Sequence, residues 1–245
     1  MSSERSVVPL ESNPDIFTEF AHDLGLNENY SFIDVYSLTD RDLLGFVPRP
    51  VKALILLFPL NAFFEDSKNK TPANKGDSED NRGEATTNDQ PVWFKQTIRN
   101  ACGLYGLLHS LCNNADLLSK QSKLLEFLKA EPREDNKYCD SLTDDFVVKL
   151  SEKHSDKFSL GQTVAPDAVD DVNLHFITFV RKEGEVYELD GRRADGAHLI
   201  SSRTDPATDL IGQQSVIDRV QWYMENADED SKLNFSLLGL APSWD

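Results

Sequence analysis

Apolar residues at Ile16, Phe17, Phe20, Ala21 and Leu24 recur three and four positions apart, which lays one apolar face along a helix over 14–24. Asn13 stands before Pro14, an N-cap followed by proline at the first helical position, and Gly25 closes the helix. Residues 30–35 are aromatic and β-branched with partial alternation and read as a strand. Residues 51–58 are nearly all apolar after Pro48 and Pro50, the pattern of a strand covered on both faces. Leu104, Leu107, Leu108 and Leu111 stand at i, i+3, i+4 and i+7 and predict a second helix over 101–113. Helical character continues over 117–128 and 144–150. Two strands, 174–180 and 185–189, flank Glu183-Gly184, a two-residue hairpin turn by pattern. Residues 215–225 read as a helix and 234–240 as a final apolar strand.

Two stretches interrupt these periods. Between Glu65 and Gln90 only Ala73 and Ala85 are apolar. Such a segment cannot offset its ordering entropy by burial, so about 66–90 is expected to be a disordered acidic insertion loop. Strand pattern precedes it and core pattern resumes at Val92, Trp93 and Phe94, so it marks no domain boundary, and 1–245 is expected to be a single domain. Residues 154–171 carry Gly161, Pro166 and small polar residues without a period and read as a second long loop.

Composition narrows the function. The 245 residues are 39% hydrophobic and 27% charged, with Lys+Arg 25 against Asp+Glu 42, a net charge of −17. Nucleic acid is disfavoured, because a basic stripe is needed to neutralise phosphates, and an anionic membrane surface is disfavoured equally. The longest apolar run, 53–58, is far short of a spanning helix, and the first residues lack a secretory apolar core. Three cysteines, an odd number, argue against a disulfide framework and for a reducing compartment. The expectation is a monomer in the cytoplasm, with the nucleus also open. No CxxC occurs and the five histidines are scattered, so neither a metal nor another cofactor is expected.

Cys102 lies where an irregular segment turns into the apolar helix. Unpaired N–H groups and the partial positive charge of a helix start favour thiolate over thiol, which makes Cys102 a candidate nucleophile; a small buried cap residue is the other reading. Cys112, at the opposite end of the helix, reads as structural, and Cys139 carries no assignment. His175 sits in an apolar strand, where a lone histidine is ordinarily a core residue. The hairpin changes this. With Glu183-Gly184 as the turn, Lys182 pairs with Glu185 and Asp190 faces Ile177, the same-face neighbour of His175. Asp190 is then diagonal to His175, within reach of an imidazole–carboxylate hydrogen bond. An aspartate so placed orients one ring nitrogen and leaves the other for a thiol. Gln96 is a candidate oxyanion donor beside the Cys102 N–H, although its position six residues upstream leaves other roles open.

These residues carry a resemblance. Gln96-Thr-Ile-Arg-Asn-Ala-Cys-Gly-Leu-Tyr-Gly-Leu-Leu-His-Ser110 resembles the active-site helix of the ubiquitin carboxyl-terminal hydrolases, small papain-like deubiquitinating cysteine peptidases. Asn173-Leu-His-Phe-Ile177 and Tyr187-Glu-Leu-Asp-Gly-Arg192 resemble that family's histidine and aspartate motifs. The segments 9–14, 32–36 and 47–50 are similar to its N-terminal pattern, and the likeness runs in order from about residue 8 to 240, closest in look to the short yeast-type single-domain members. Arg99 departs from a common glycine of the family and bears on substrate preference rather than chemistry. The resemblance implies an α+β fold, an α-β-α sandwich with a central antiparallel sheet flanked by helices, papain-like and with a knotted backbone. It implies Cys102 as nucleophile, His175 as general base and acid, Asp190 as its orienting partner and Gln96 at the oxyanion hole. It further implies ubiquitin as the partner, with a ubiquitin-like modifier such as Nedd8 as the alternative. Gly161, Gln162, Thr163, Val164, Ala165 and Pro166 match its substrate-gating loop over the cleft. A catalytically silent ubiquitin-binding module is the reading from another class; the intact set of four residues weighs against it.

Overall fold

The computed structural model describes residues 5–67, 90–130, 138–154 and 173–244. The uninterrupted apolar run becomes β2 (Ala53–Pro59), which lies inside the sheet between β3 (Leu174–Lys182) and β6 (Ser236–Pro242). β1 (Tyr30–Asp34) flanks β6, while β4 (Glu185–Leu189) and β5 (His198–Ser201) extend the other side, giving the order β1-β6-β2-β3-β4-β5. Every pairing is antiparallel. Side chains of β2 alternate between two cores, Ala53 and Ile55 in one, Leu54, Leu56 and Phe58 in the other. Burial on both faces is why this strand carries no polar alternation.

The first core is roofed by α1 (Pro14–Asp23), α4 (Cys102–Cys112), α5 (Lys123–Ala130) and α6 (Asp140–Lys153). The second is covered by α7 (Gln214–Glu225) and by Leu210 and Ile211. This is the expected α-β-α sandwich. α1 starts as its sequence dictates, with Asn13 Oδ1 accepting from the Asp15 and Ile16 N–H groups at 2.9 and 3.4 Å. The hairpin turn has φ of 49° at Glu183 and 83° at Gly184, the paired left-handed conformations of a two-residue turn matched to strand twist. The register follows, with Lys182 opposite Glu185 and Thr178 opposite Leu189.

Several boundaries differ from expectation. α4 has no solvent face: Gly103 through Cys112 are all buried, because the helix fills the centre of the first core and not its rim. The helical stretch expected over 117–128 divides into a 3₁₀ turn, Ala115–Leu117, and α5. Leu118 pairs with Leu26 in an isolated bridge, and Ser122 restarts the helix by accepting from the Leu125 N–H while donating to the Leu24 carbonyl. Two short helices, α2 (Arg41–Leu44) and α3 (Ala62–Ser67), and β5 were not expected. α3 moves the start of the insertion: Glu65 and Asp66 belong to a helix, and Glu65 pairs with Arg192. Gln90 is likewise part of the described body, and the rest of the insertion, 68–89, lies outside the described residues. Among the described residues, no helix is long and apolar enough to cross a membrane, and no group of three or more His, Cys, Asp or Glu is arranged to hold a metal ion.

Candidate active site

Cys102 is the first residue of α4, and the preceding Ala101 supplies no side-chain cap. The amide groups of this first turn are therefore not consumed by a capping oxygen. His175 and the backbone of Phe176 and Gly103 act electrostatically on the thiol. Burial pushes the thiol pKa up, but the hydrogen bond and charge of His175, then the two backbone contacts, bring it below the ordinary cysteine value.

His175, 2% exposed, occupies the second position of β3. Its Nε2 lies 2.7 Å from Asp190 Oδ1, which leaves Nδ1 for the thiol. Phe58 packs edge-on against the ring at 5.8 Å. Burial alone would lower the imidazole pKa, but the charge and hydrogen bond of Asp190, with Cys102 adding to them, raise it to about 9. Asp190 follows directly on β4, where the hairpin register places it opposite Ile177. Burial would raise its pKa; the charge and hydrogen bond of His175, together with the Arg192 N–H donating to Oδ1 at 2.8 Å, hold it below the usual carboxylate range. The three groups thus favour thiolate, imidazolium and carboxylate, the ionic form in which a thiol is a nucleophile and an imidazolium can surrender a proton.

Strand alternation reveals how the three come together. Ile177 and Phe179 belong to the second core, so His175 and Asp190 lie on the face that α7 covers, whereas α4 packs under the other face. They meet Cys102 at the end of the sheet, where β3 begins and β4 ends.

Gln96 is joined to this assembly through the main chain. Its N–H donates to the Gly191 carbonyl at 2.7 Å. A Cβ on Gly191 would stand 2.9 Å from Gln96 Cβ, 3.2 Å from its backbone nitrogen and 3.3 Å from the Phe94 oxygen, so only glycine permits this approach. The Gln96 side-chain nitrogen donates to the Ile98 carbonyl at 3.2 Å, which uses one of its two hydrogens. Its Oε1 is buried without a hydrogen-bond partner among the described residues.

The structure thus brings together the four residues the sequence singled out, and adds supports that the sequence reading missed. Trp93 Nε1 donates to the Asp190 carbonyl at 3.0 Å; within an apolar triplet it looked like core alone. His109 Nε2 accepts from the Phe94 N–H at 3.0 Å. Burial lowers His109 to about 4 and outweighs the contact with Phe94, so a neutral ring fixes the segment leading to Gln96. Arg99, the departure from the family pattern, pairs through its backbone with Arg5 and Val7 at 2.9 and 3.1 Å. Cys112 is buried and Cys139 is exposed; none of the three cysteines forms a disulfide among the described residues. The expected gating loop, Gly161 to Pro166, lies outside the described residues.

Residues 7–225 match the family model for ubiquitin carboxyl-terminal hydrolase, family 1. The chain belongs to this hydrolase family. It is 47% identical over 249 residues, spanning 100% of both chains, to ubiquitin carboxyl-terminal hydrolase YUH1 of Saccharomyces cerevisiae. It is 32% identical over 244 residues to a probable ubiquitin carboxyl-terminal hydrolase of Dictyostelium discoideum, covering 98% of this chain and 89% of that one. Among solved structures, the UCH37 catalytic domain of Trichinella spiralis, crystallised bound to ubiquitin vinyl methyl ester, superposes with a TM-score of 0.71 over 99% of this chain and 98% of that chain. At 22% identity that likeness speaks to the hydrolase fold.

Proposed function

We propose that the protein is a thiol-dependent ubiquitin hydrolase that cleaves the bond after the C-terminal glycine of ubiquitin, with Cys102 as nucleophile. The carrying observation is a cysteine on the first turn of a buried helix, its thiol acidified by a histidine whose Nε2 sits 2.7 Å from an aspartate. Membership of the ubiquitin carboxyl-terminal hydrolases supplies the substrate class.

The Cys102 thiolate attacks the glycine carbonyl carbon, and the carbonyl oxygen becomes an oxyanion. The Cys102 N–H and the free hydrogen of the Gln96 amide are the donors for it. As the C–N bond breaks, His175 gives its Nδ1 proton to the departing amine, leaving ubiquitin as a thioester on Cys102. Neutral His175 then takes a proton from water; the hydroxide adds to the thioester and Cys102 leaves as the thiolate. Asp190 keeps the ring oriented and stabilises its charged form throughout. The net charge of −17 suits a basic partner face and steers it electrostatically.

Release of a fluorophore from a ubiquitin C-terminal amide tests this reading. Wild-type protein should turn it over faster than the corresponding Nedd8 amide. Cys102→Ala should have no turnover while still binding ubiquitin, because the binding surface far exceeds one thiol. Turnover persisting in Cys102→Ala, or disappearing instead in Cys112→Ala, refutes the assignment.

A further inference from the structure

The second core carries charge directly behind the His175–Asp190 pair. Glu188 precedes Asp190 by two residues on β4 and so shares its face; it is 1% exposed. Arg219 of α7 grips it with a fork, Nε to Oε2 at 2.6 Å and Nη2 to Oε1 at 3.1 Å. The Tyr223 hydroxyl donates to Oε1 at 3.2 Å, and the guanidinium lies over the Trp222 and Tyr223 rings at 4.2 and 4.9 Å. A cavity of about 20 Å³ separates this cluster from the pair, with His175 and Asp190 lining it alongside Glu188, Arg219 and Tyr223. That is far below the roughly 300–1,000 Å³ of a ligand pocket. The space is a joint between two charged clusters and not a seat for substrate.

Stability is a poor explanation for the ion pair. Desolvation cancels most of its attraction, and apolar side chains of similar volume fill such a site at equal or lower cost. Its effect on neighbours is another matter, since charges act strongly across a narrow, largely enclosed gap with room for little water. We propose that Glu188 and Arg219 are positioning residues that tune the ionisation of the His175–Asp190 pair, the carboxylate favouring the imidazolium and the guanidinium limiting that pull. The proposal rests on the Cys102–His175–Asp190 reading above. Other charged or titratable groups also face the pair. Cys102 approaches from α4, and Arg192, paired with Glu65 of α3, from the turn after β4. His109 acts on Asp190 from α4. His198 of β5 stands opposite Glu188, with Arg193 and Asp195 beyond it. Glu188 and Arg219 are the members locked face to face on the cavity wall, so removing one leaves a full unbalanced charge there.

The rate at which iodoacetamide alkylates Cys102 against pH, followed by mass spectrometry on the intact protein with the exposed Cys139 replaced by serine throughout, reports the thiolate–imidazolium state without needing ubiquitin. Glu188→Gln leaves Arg219 unbalanced, which disfavours the imidazolium, so the alkaline transition should move down by about one pH unit. Arg219→Gln leaves Glu188 unbalanced and should move it up by a similar amount. The double variant, again neutral, should return close to wild type, and kcat/KM should follow the same order. A purely structural role lowers the melting temperature and kcat without moving the transition in opposite directions. Should Arg219→Gln fail to fold, Glu188→Gln against the double variant still decides: the transition must fall in the first and recover in the second. Shifts of the same sign, or none, in folded variants overturn the proposal. Loss of the pH transition from wild type itself, or alkylation at an unchanged rate in Cys102→Ser, overturns instead the reading on which it rests.

Discussion

Alanine at position 191 separates two pieces that the structure holds in one register, the Gln96 segment and the end of the His175–Asp190 hairpin. The added methyl would lie 2.9 Å from Gln96 Cβ, whereas carbon–carbon contacts settle at about 3.5–4.0 Å. The backbone nitrogen of Gln96 and the Phe94 carbonyl stand at 3.2 and 3.3 Å from the same point, so a new side-chain rotamer brings no relief. The two segments must part by about 0.6 Å or more, which stretches the 2.7 Å Gln96 N–H to Gly191 bond to the edge of usefulness. A misplacement of about 1 Å in a catalytic constellation costs roughly 100-fold, so Gly191→Ala should lose about 10- to 100-fold in kcat on a fluorogenic ubiquitin amide. Stability should fall by about 1–3 kcal/mol for the weakened bond and the crowding, read as a melting temperature lower by several degrees. Cys102 and His175 do not move in this account, so KM and the alkylation rate of Cys102 stay within about twofold of wild type. Starting from Gln96→Ala, the same substitution should cost less kcat, because the donor it displaces is already gone. Wild-type kcat and melting temperature in Gly191→Ala, or alkylation falling in step with kcat, would refute the reasoning.

Two further outcomes concern protonation. His175 is raised to about 9 and Cys102 lowered, so kcat/KM should rise with thiolate formation on the acid side and decline near pH 9, where the imidazolium is lost; Asp190→Asn removes the main support of that charge and should draw the alkaline limb down, with kcat reduced. His109 carries the opposite sign for stability: its folded pKa of about 4 is below the unfolded value of about 6.5. Its contribution is therefore full above pH 6.5 and disappears as pH falls through 4, on the order of 3 kcal/mol. Denaturant unfolding between pH 4 and 7 should show this slope in wild type and a flatter one in His109→Gln; equal slopes would exclude His109 as the source.

Much of the site could be read from sequence because its geometry is local. A two-residue turn at Glu183-Gly184 fixes the hairpin register, and register alone makes Asp190 the diagonal partner of His175. The position of Cys102 followed from the onset of an apolar period. What escaped notice depends on contacts distant in sequence. Gly191 against Gln96 is a backbone approach between distant parts of the chain that no periodicity records, and Trp93 and Glu188 look like an ordinary core residue and an ordinary strand charge until their partners are in place. Glu188 did leave a trace, since alternation puts it on the face of Asp190 inside an apolar hairpin, where a carboxylate must find a cation. α2, α3 and β5 are four to six residues long, too short to show a period, and α3 therefore blurred the start of the insertion.

The reactive thiol is assembled from both sides of one sheet. Its sulfur comes from a helix in the first core, and the groups that ionise it come from strand positions facing the second. Neither half holds the chemistry alone. A molecule that has opened either core carries a cysteine of ordinary reactivity, so loss of packing silences the enzyme instead of loosening its selectivity. The enhanced reactivity of Cys102 over an ordinary thiol is for that reason a gauge of intact tertiary structure, and the enhancement should vanish at the same denaturant concentration at which the amides of β3 lose protection from hydrogen exchange.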